Sequence, residues 1–145
     1  MMICPTVIEA IEPGELEHCY AIRTAVFCGE QNVSVELEFD GLDANCRHYL
    51  AWLGDEPVGT ARVRPIGDRI VKFERIAVDI EYRGKDIGRA LMDRAMTDAA
   101  STGTISGKLH AQTSASAFYE KLGFVAKGSL FIEAGIEHIQ MVRGL

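Results

Sequence analysis

The chain has 145 residues, of which 48% are hydrophobic and 25% charged, a balance that excludes intrinsic disorder and, at this length, leaves residues for one core rather than two. With 21 acidic against 15 basic side chains the net charge is −6 at pH 7, which excludes a nucleic-acid or anionic-membrane surface and favours a cationic substrate such as an amine. No apolar run approaches the ~20 residues of a membrane span, and Met1 to Pro5 lacks the basic start and apolar core of a signal peptide, so the expected location is the cytoplasm.

Thr6 to Ile11 is apolar enough for a first strand, which Glu12-Pro13-Gly14 breaks before a helical run with Leu16, Cys19, Tyr20 and Phe27 on one side. From Gly29 to Asn45 periodicity is lost and acids accumulate (Glu30, Glu36, Glu38, Asp40, Asp43), predicting a surface loop or short helix. This segment is a candidate to face a cationic substrate, although solubility alone also calls for a charged loop. Cys4, Cys19, Cys28 and Cys46 match neither a zinc nor a redox spacing, so they read as buried thiols and no metal is expected.

His48 to Leu53 and Val58 to Val63 flank the turn-type cluster Gly54-Asp55-Glu56-Pro57, and Ile70 to Val78 follows as a third antiparallel strand. After the polar break from Asp79 to Asp86, the spacing of Ile87, Ala90, Leu91, Ala95 and Ala99 predicts a helix ending near Gly103. Lys108 to Ala111 reads as a short strand. Ala115, Phe118, Tyr119 and Leu122 mark a helix that Gly123 ends, and Phe124 to Phe131 and His138 to Val142 supply two closing strands. The order is β α β β β α β α β β, with the strands on either side of the 87–102 helix parallel in an otherwise mostly antiparallel sheet. The fold class is α+β, and residues 1–145 form a single domain.

The peptide from Tyr82 to Leu91 puts two glycines and the cations Arg83, Lys85 and Arg89 at the first turn of a helix. Free N–H groups and the helix dipole make such a turn an anion site, but a solvated turn using glycine for positive φ has the same residues. Neither a nucleotide-hydrolase loop nor a G-x-G-x-x-G fingerprint occurs.

Arg75-Ile76-Ala77-Val78, the Arg83 to Gly88 loop and Phe118-Tyr119-Glu120-Lys121-Leu122-Gly123-Phe124 together resemble the GNAT superfamily of acyl-CoA-dependent N-acyltransferases. Asp86 departs from the family's phosphate motif, which has glycine there. Arg23, Val26-Phe27, Glu30-Gln31, Glu38, Asp40, Asp43, Gly59-Thr60-Ala61-Arg62, Ala111-Gln112 and Gly135-Ile136-Glu137-His138 extend the resemblance to the ElaA/YjcF-like branch over nearly the whole chain. The resemblance implies a GNAT-like mixed sheet with helices on both faces, acetyl-CoA as co-substrate, and a primary amine of a small molecule or peptide as acceptor. It places pantetheine along Ile76, Ala77 and Val78. The pyrophosphate falls on Arg83, Gly84, Lys85, Asp86, Ile87, Gly88 and Arg89, with further cofactor contacts at Gln112, Ala115 and Phe118.

It also makes Tyr119 the acid that protonates the departing sulfur, whereas spacing alone is equally met by Tyr119 completing an apolar stripe. Because an amine of pKa near ~10 is mostly protonated at neutral pH, a base is needed. Glu74 is the leading one, since alternation places it on a strand face with Ile76 and Val78 and turns Arg75 to the other face; an ion pair with Arg62 or Arg64 is the competing reading. His48 and His138 could serve as base or substrate ligand, or be structural, and Glu30, Glu38, Asp40 and Asp43 could draw the acceptor. In the expected direct attack within a ternary complex, Asp86 takes the left-handed geometry of the missing glycine, turns its carboxylate away and offers its N–H. Two other activities fit the same motifs: an acyl-homoserine-lactone synthase-like acyltransferase and a non-catalytic acyl-CoA-binding module. A homodimer is compatible with all of them.

Overall fold

A computed structural model describes residues 4–145, so Met1 to Ile3 of the amino-terminal reading lie outside the described residues. The strands are β1 (Thr6–Ala10), β2 (Arg47–Leu53), β3 (Glu56–Gly67), β4 (Ile70–Val78), β5 (Ser106–Gln112), β6 (Val125–Glu133) and β7 (Ile136–Gly144). The helices are α1 (Pro13–Arg23), α2 (Val35–Glu38), α3 (Ile87–Ser101) and α4 (Ser116–Lys121). The strands form one sheet in the order β1-β2-β3-β4-β5-β7-β6. Among the described residues β4 and β5 alone pair in parallel; the other neighbours are antiparallel, as predicted. The closing hairpin enters by its last strand, so β7 lies against β5 and β6 forms the edge.

Local chemistry fixes the ends of these elements. Pro13 opens α1, and the Glu15 carboxylate accepts from the N–H groups of Ile11 and Glu12 at 3.0 and 2.9 Å, closing the capping box. Beyond Arg23 the helix widens into a π-helical run, Thr24–Glu30, a rare geometry that marks functional sites more often than plain helix does. Within the acidic stretch the Ser34 hydroxyl caps α2, and a 3₁₀ turn spans Asp43–Asn45.

Strand alternation divides the core between the two faces. Tyr49 and Ala51 of β2 join Val63, Phe73, Leu91, Met92, Leu109 and Met141 under α3, whereas Leu50 joins Ala10, Cys19, Ile22, Val26 and Ala77 under α1. Helices therefore cover both faces. Of the four free thiols only Cys19 is buried; Cys4 is exposed and Cys28 and Cys46 are half-buried, which corrects the expectation for those three.

Helix α3 sits close on the sheet because Gly59 presents no side chain. A Cβ there would lie 2.9 Å from Leu91 Cδ1 and 3.2 Å from the Ala77 carbonyl oxygen. A Gly59→Val variant is expected to lose about 1–3 kcal/mol through overpacking, read as a lower urea midpoint with an unchanged m-value; an unshifted midpoint would show that the helix can move aside freely.

A bulge in β4 sets up everything that follows. Between the pairs Arg62↔Glu74 and Thr60↔Ala77, the two residues Arg75 and Ile76 oppose Ala61 alone, and Arg75 takes φ 54°. The bulge resets the alternation. Ile76 and Val78 pack on the α3-side core, while Glu74 and Arg75 both direct their charges to partners on the α1 side. The expectation that Glu74 shares a face with Ile76 and Val78, with Arg75 opposite, is therefore corrected.

Candidate functional site

Strands β4 and β5 pair only at Ile70↔Ser106, Val71↔Gly107 and Lys72↔Lys108, then part. The wedge between them opens a cavity of about 670 Å³, within the range of small-molecule sites. Ile76, Ala77 and Val78 form one wall, and beyond Lys72 their strand has no neighbour on the β5 side. An extended chain could add there as a strand. Gln112, Ala115, Phe118 and Tyr119 lie on the opposite wall.

At one end of the wedge the polar loop enters α3. Gly84 has φ 78°, and Asp86 is left-handed at φ 61°, ψ 20°, the geometry expected for the glycine it replaces. No side chain caps the helix, and the first bond at its start runs from the Ala90 N–H to the Asp86 carbonyl at 3.0 Å. The N–H groups of Ile87, Gly88 and Arg89 thus have no helical acceptor, and the positive end of the helix dipole lies among them. Arg83, Gly84, Asp86, Ile87, Gly88 and Arg89 line the cavity. Lys85 is exposed and off its wall, so it is the residue of this group that the structure does not bring to the cavity. The Asp86 side chain is exposed as well.

Arg83 is already engaged. Its Nε donates to the Val78 carbonyl at 3.0 Å, and its two terminal nitrogens donate to the Glu30 carboxylate at 2.6 Å each. The next residue, Gln31, accepts at 2.8 Å from the Gln112 amide. Adjacent side chains at the end of the π-helical run thus tie it to both sides of the wedge. Glu30 is thereby an arginine partner rather than an open acceptor of cations, and the Arg83 guanidinium holds its carboxyl below the usual range.

Tyr119 is buried on α4, edge-on to Phe118 at 4.9 Å and Phe124 at 6.1 Å. Burial pushes its phenol far up, so the hydroxyl keeps its proton at neutral pH. Among the described residues that hydroxyl has no hydrogen-bond partner, and it borders the cavity.

On the α1 face the acidic segment folds onto arginines. Buried Arg23 donates to Glu38 and Asp43 at 2.8 Å each. Buried Arg62 donates to Asp40 and Asp43 at 2.9 Å and to Glu74 through Nε at 3.0 Å. Arg75 contacts Glu38 at 3.1 Å and Asp40 at 3.4 Å, while Arg64 and Lys72 reach Glu74 at 2.7 and 3.2 Å. The five cations outnumber the four carboxylates. Buried Glu38 and exposed Asp40 both serve as counter-ions to these arginines, so the carboxylates expected to draw a cationic acceptor are already paired within the chain. Glu74 fares likewise: burial alone would raise its pKa, but Arg64, Arg62 and Lys72 together hold it at about 2. Its oxygens are spent on these three cations, which is the geometry of the competing ion-pair reading.

His48 lies off the cavity wall, with Nε2 2.9 Å from the Asp43 carbonyl oxygen and its ring edge-on to Tyr20. His138 borders the cavity but is buried, with Nδ1 2.7 Å from the Ile136 carbonyl oxygen and its ring stacked on Phe131. Two further residues at this end, His110 and Glu133, were not among the sequence expectations. The signal for His110 was present: Lys108, His110 and Gln112 alternate with the buried Leu109 and Ala111.

Among the described residues no cluster of His, Cys, Asp or Glu is arranged to hold a metal, and no helix is long and apolar enough to cross a membrane. Residues 17–145 match the profile described as Acetyltransferase (GNAT) domain. The uncharacterized N-acetyltransferase YjcF of Bacillus subtilis is 39% identical over 131 residues, 89% of this chain and 92% of the relative. Protein ElaA of Escherichia coli is 32% identical over 84% of this chain and 82% of its own, and its crystal structure superposes with a TM-score of 0.81 over 97% of this chain and 99% of that one. An acyl-CoA N-acyltransferase from Pseudomonas aeruginosa superposes at 0.83, with 29% identity over 97% of this chain and 99% of the other.

Proposed function

Because this chain belongs to the GNAT acetyltransferase family, whose members use acyl-CoA, we propose that it transfers an acetyl group from acetyl-CoA to a primary amine of a small molecule or peptide. The amine attacks directly, with both substrates bound at once in one cytoplasmic domain. The observation that carries this reading is the wedge itself. A strand edge without a neighbour, an uncapped helix start at one end and a buried, unpartnered phenol converge on one cavity.

Pantetheine lies along Ile76 to Val78, and the pyrophosphate takes the N–H groups of Ile87, Gly88 and Arg89, with Arg83 and Arg89 supplying charge. Arg83 must then share its fork between Glu30 and the phosphates. Tyr119 gives its proton to the leaving sulfur. Gln112, Ala115 and Phe118 close the far wall.

Titration calorimetry with acetyl-CoA tests the cofactor assignment. Micromolar binding is expected, and Arg83→Ala should weaken it by about tenfold or more, since a charge-assisted hydrogen bond is worth about 1.5–3 kcal/mol. Well-folded parent protein that gives no binding heat, or an Arg83→Ala variant that binds as the parent does, would overturn it. A screen of primary amines following CoA release then identifies the acceptor class.

A further inference from the structure

We propose that His110 is the group that takes the proton from the incoming amine, with Glu133 as the positioning residue that sets its ring. The inference rests on the acyl-transfer reading above and adds a residue to it.

Position comes first. Lys108 is the last β5 residue paired with β4, so His110 stands just past the vertex where the strands part, on the wall of the cavity. Leu109 and Ala111 are buried in the α3-side core. His110 therefore faces the α1 side, where the acceptor can approach without crossing the cofactor wall.

The ring is also held. Its Nδ1 lies 3.3 Å from Glu133 Oε1, and Phe131 meets it edge-on at 4.9 Å. Phe131 is itself stacked on His138 at 5.8 Å. With a carboxylate as partner Nδ1 carries the hydrogen, so Nε2 bears the free lone pair. No hydrogen bond engages Nε2 among the described residues.

The surroundings favour the neutral imidazole. Burial, then Lys72 on β4 and Lys108 on its own strand, lower its pKa, and Glu133 on β6 opposes them in part. Glu74 on β4 is tied to three cations, and His138 on β7 lies 3.8 Å from the other Glu133 oxygen. Of the other bases, Glu74 and Glu38 are committed to arginines, while His138 has Nδ1 on the Ile136 carbonyl and sits buried on β7 behind the same Glu133 carboxylate, its Nε2 3.8 Å from Oε2.

The step balances. The ammonium gives one proton to His110 Nε2, and the freed nitrogen lone pair forms the N–C bond at the thioester carbonyl carbon. The C–S bond breaks with its electron pair on sulfur, which takes the Tyr119 hydroxyl proton. The second nitrogen proton restores Tyr119 through solvent, and His110 releases its own to bulk water. The products are one amide, one CoA thiol and one proton.

The test follows CoA release against pH with a fixed panel: phenethylamine, spermidine, lysine methyl ester and a lysine-containing peptide. His110→Gln is expected to lose about 100-fold in kcat, to keep the parent KM for acetyl-CoA, and to lose the acid limb of the pH profile. Glu133→Gln should move that limb to lower pH, because the carboxylate that favours the imidazolium is gone. His110→Gln activity within twofold of the parent, with the same profile, would overturn the proposal and leave acyl transfer standing. A parent silent with every amine would instead sink acyl transfer, and this proposal with it. Should the variant fold poorly, proton NMR of the parent decides, since the His110 ring must titrate at the midpoint of the acid limb.

Discussion

An Arg62→Met variant is expected to melt on the order of 10 °C below the parent, the largest stability effect of any single substitution considered. Arg62 is 1% exposed and holds Asp40, Asp43 and Glu74 together. Methionine fills much of the same volume but leaves those carboxylates facing one another with less counter-charge. Breaking a buried ion pair from one side costs about 3–5 kcal/mol, and a chain of this size loses about 2–4 °C per kcal/mol. Adding Glu74→Gln should restore part of the loss, because the uncompensated carboxylate is then gone. A single variant melting within 2 °C of the parent, by circular dichroism, would show that water replaces the guanidinium.

Acid should reveal the same network. Asp40, Asp43 and Glu74 have folded pKa values below their ordinary ones, Glu74 at about 2. Depressed carboxylates contribute stability that is present above their unfolded values and lost as pH falls through the folded ones. The parent Tm should therefore drop between about pH 5 and pH 2, and drop less in Arg62→Met. Glu38 works the other way, since burial raises it against the pull of Arg23 and Arg75.

What was legible in the sequence follows from range. The helix start at Ile87 and the left-handed Asp86 depend on a few adjacent residues, and both stand as read. Glu74 was misplaced because period-two alternation assumes a regular strand, whereas β4 carries an extra residue at Arg75. Nothing local announces it: Arg75 is neither glycine nor asparagine, and it holds φ 54° with its guanidinium fixed on Glu38 and Asp40. The acidic segment illustrates the other failure. Glu38, Asp40 and Asp43 look like a solvated loop until Arg23, Arg62 and Arg75, which lie 15 to 37 positions away, fold onto them. The pairing of His110, unlike its place in the alternation, was hidden by the same rule, because its carboxylate lies 23 residues further on, on β6 beyond β7.

Tyr119→Phe should lower kcat by about 100-fold or more while leaving acetyl-CoA binding and folding nearly unchanged. Among the described residues the hydroxyl has no partner to lose, and the ring keeps its edge-on contacts with Phe118 and Phe124, so stability should shift by less than about 1 kcal/mol. Burial raises the phenol, which at first sight makes it a reluctant acid. The same burial, however, destabilises a departing thiolate beside the phenol as it does a phenolate, so the two basicities rise together and transfer in contact stays feasible. Without the hydroxyl the thiolate must leave as an anion into a cavity whose lining includes Ile76, Val78 and Phe118. The difference separates a catalyst from a cofactor-binding module: only in the former does one oxygen atom, removed without change in affinity or fold, abolish turnover. A Phe variant that keeps more than a third of the parent kcat would transfer the acid role to water.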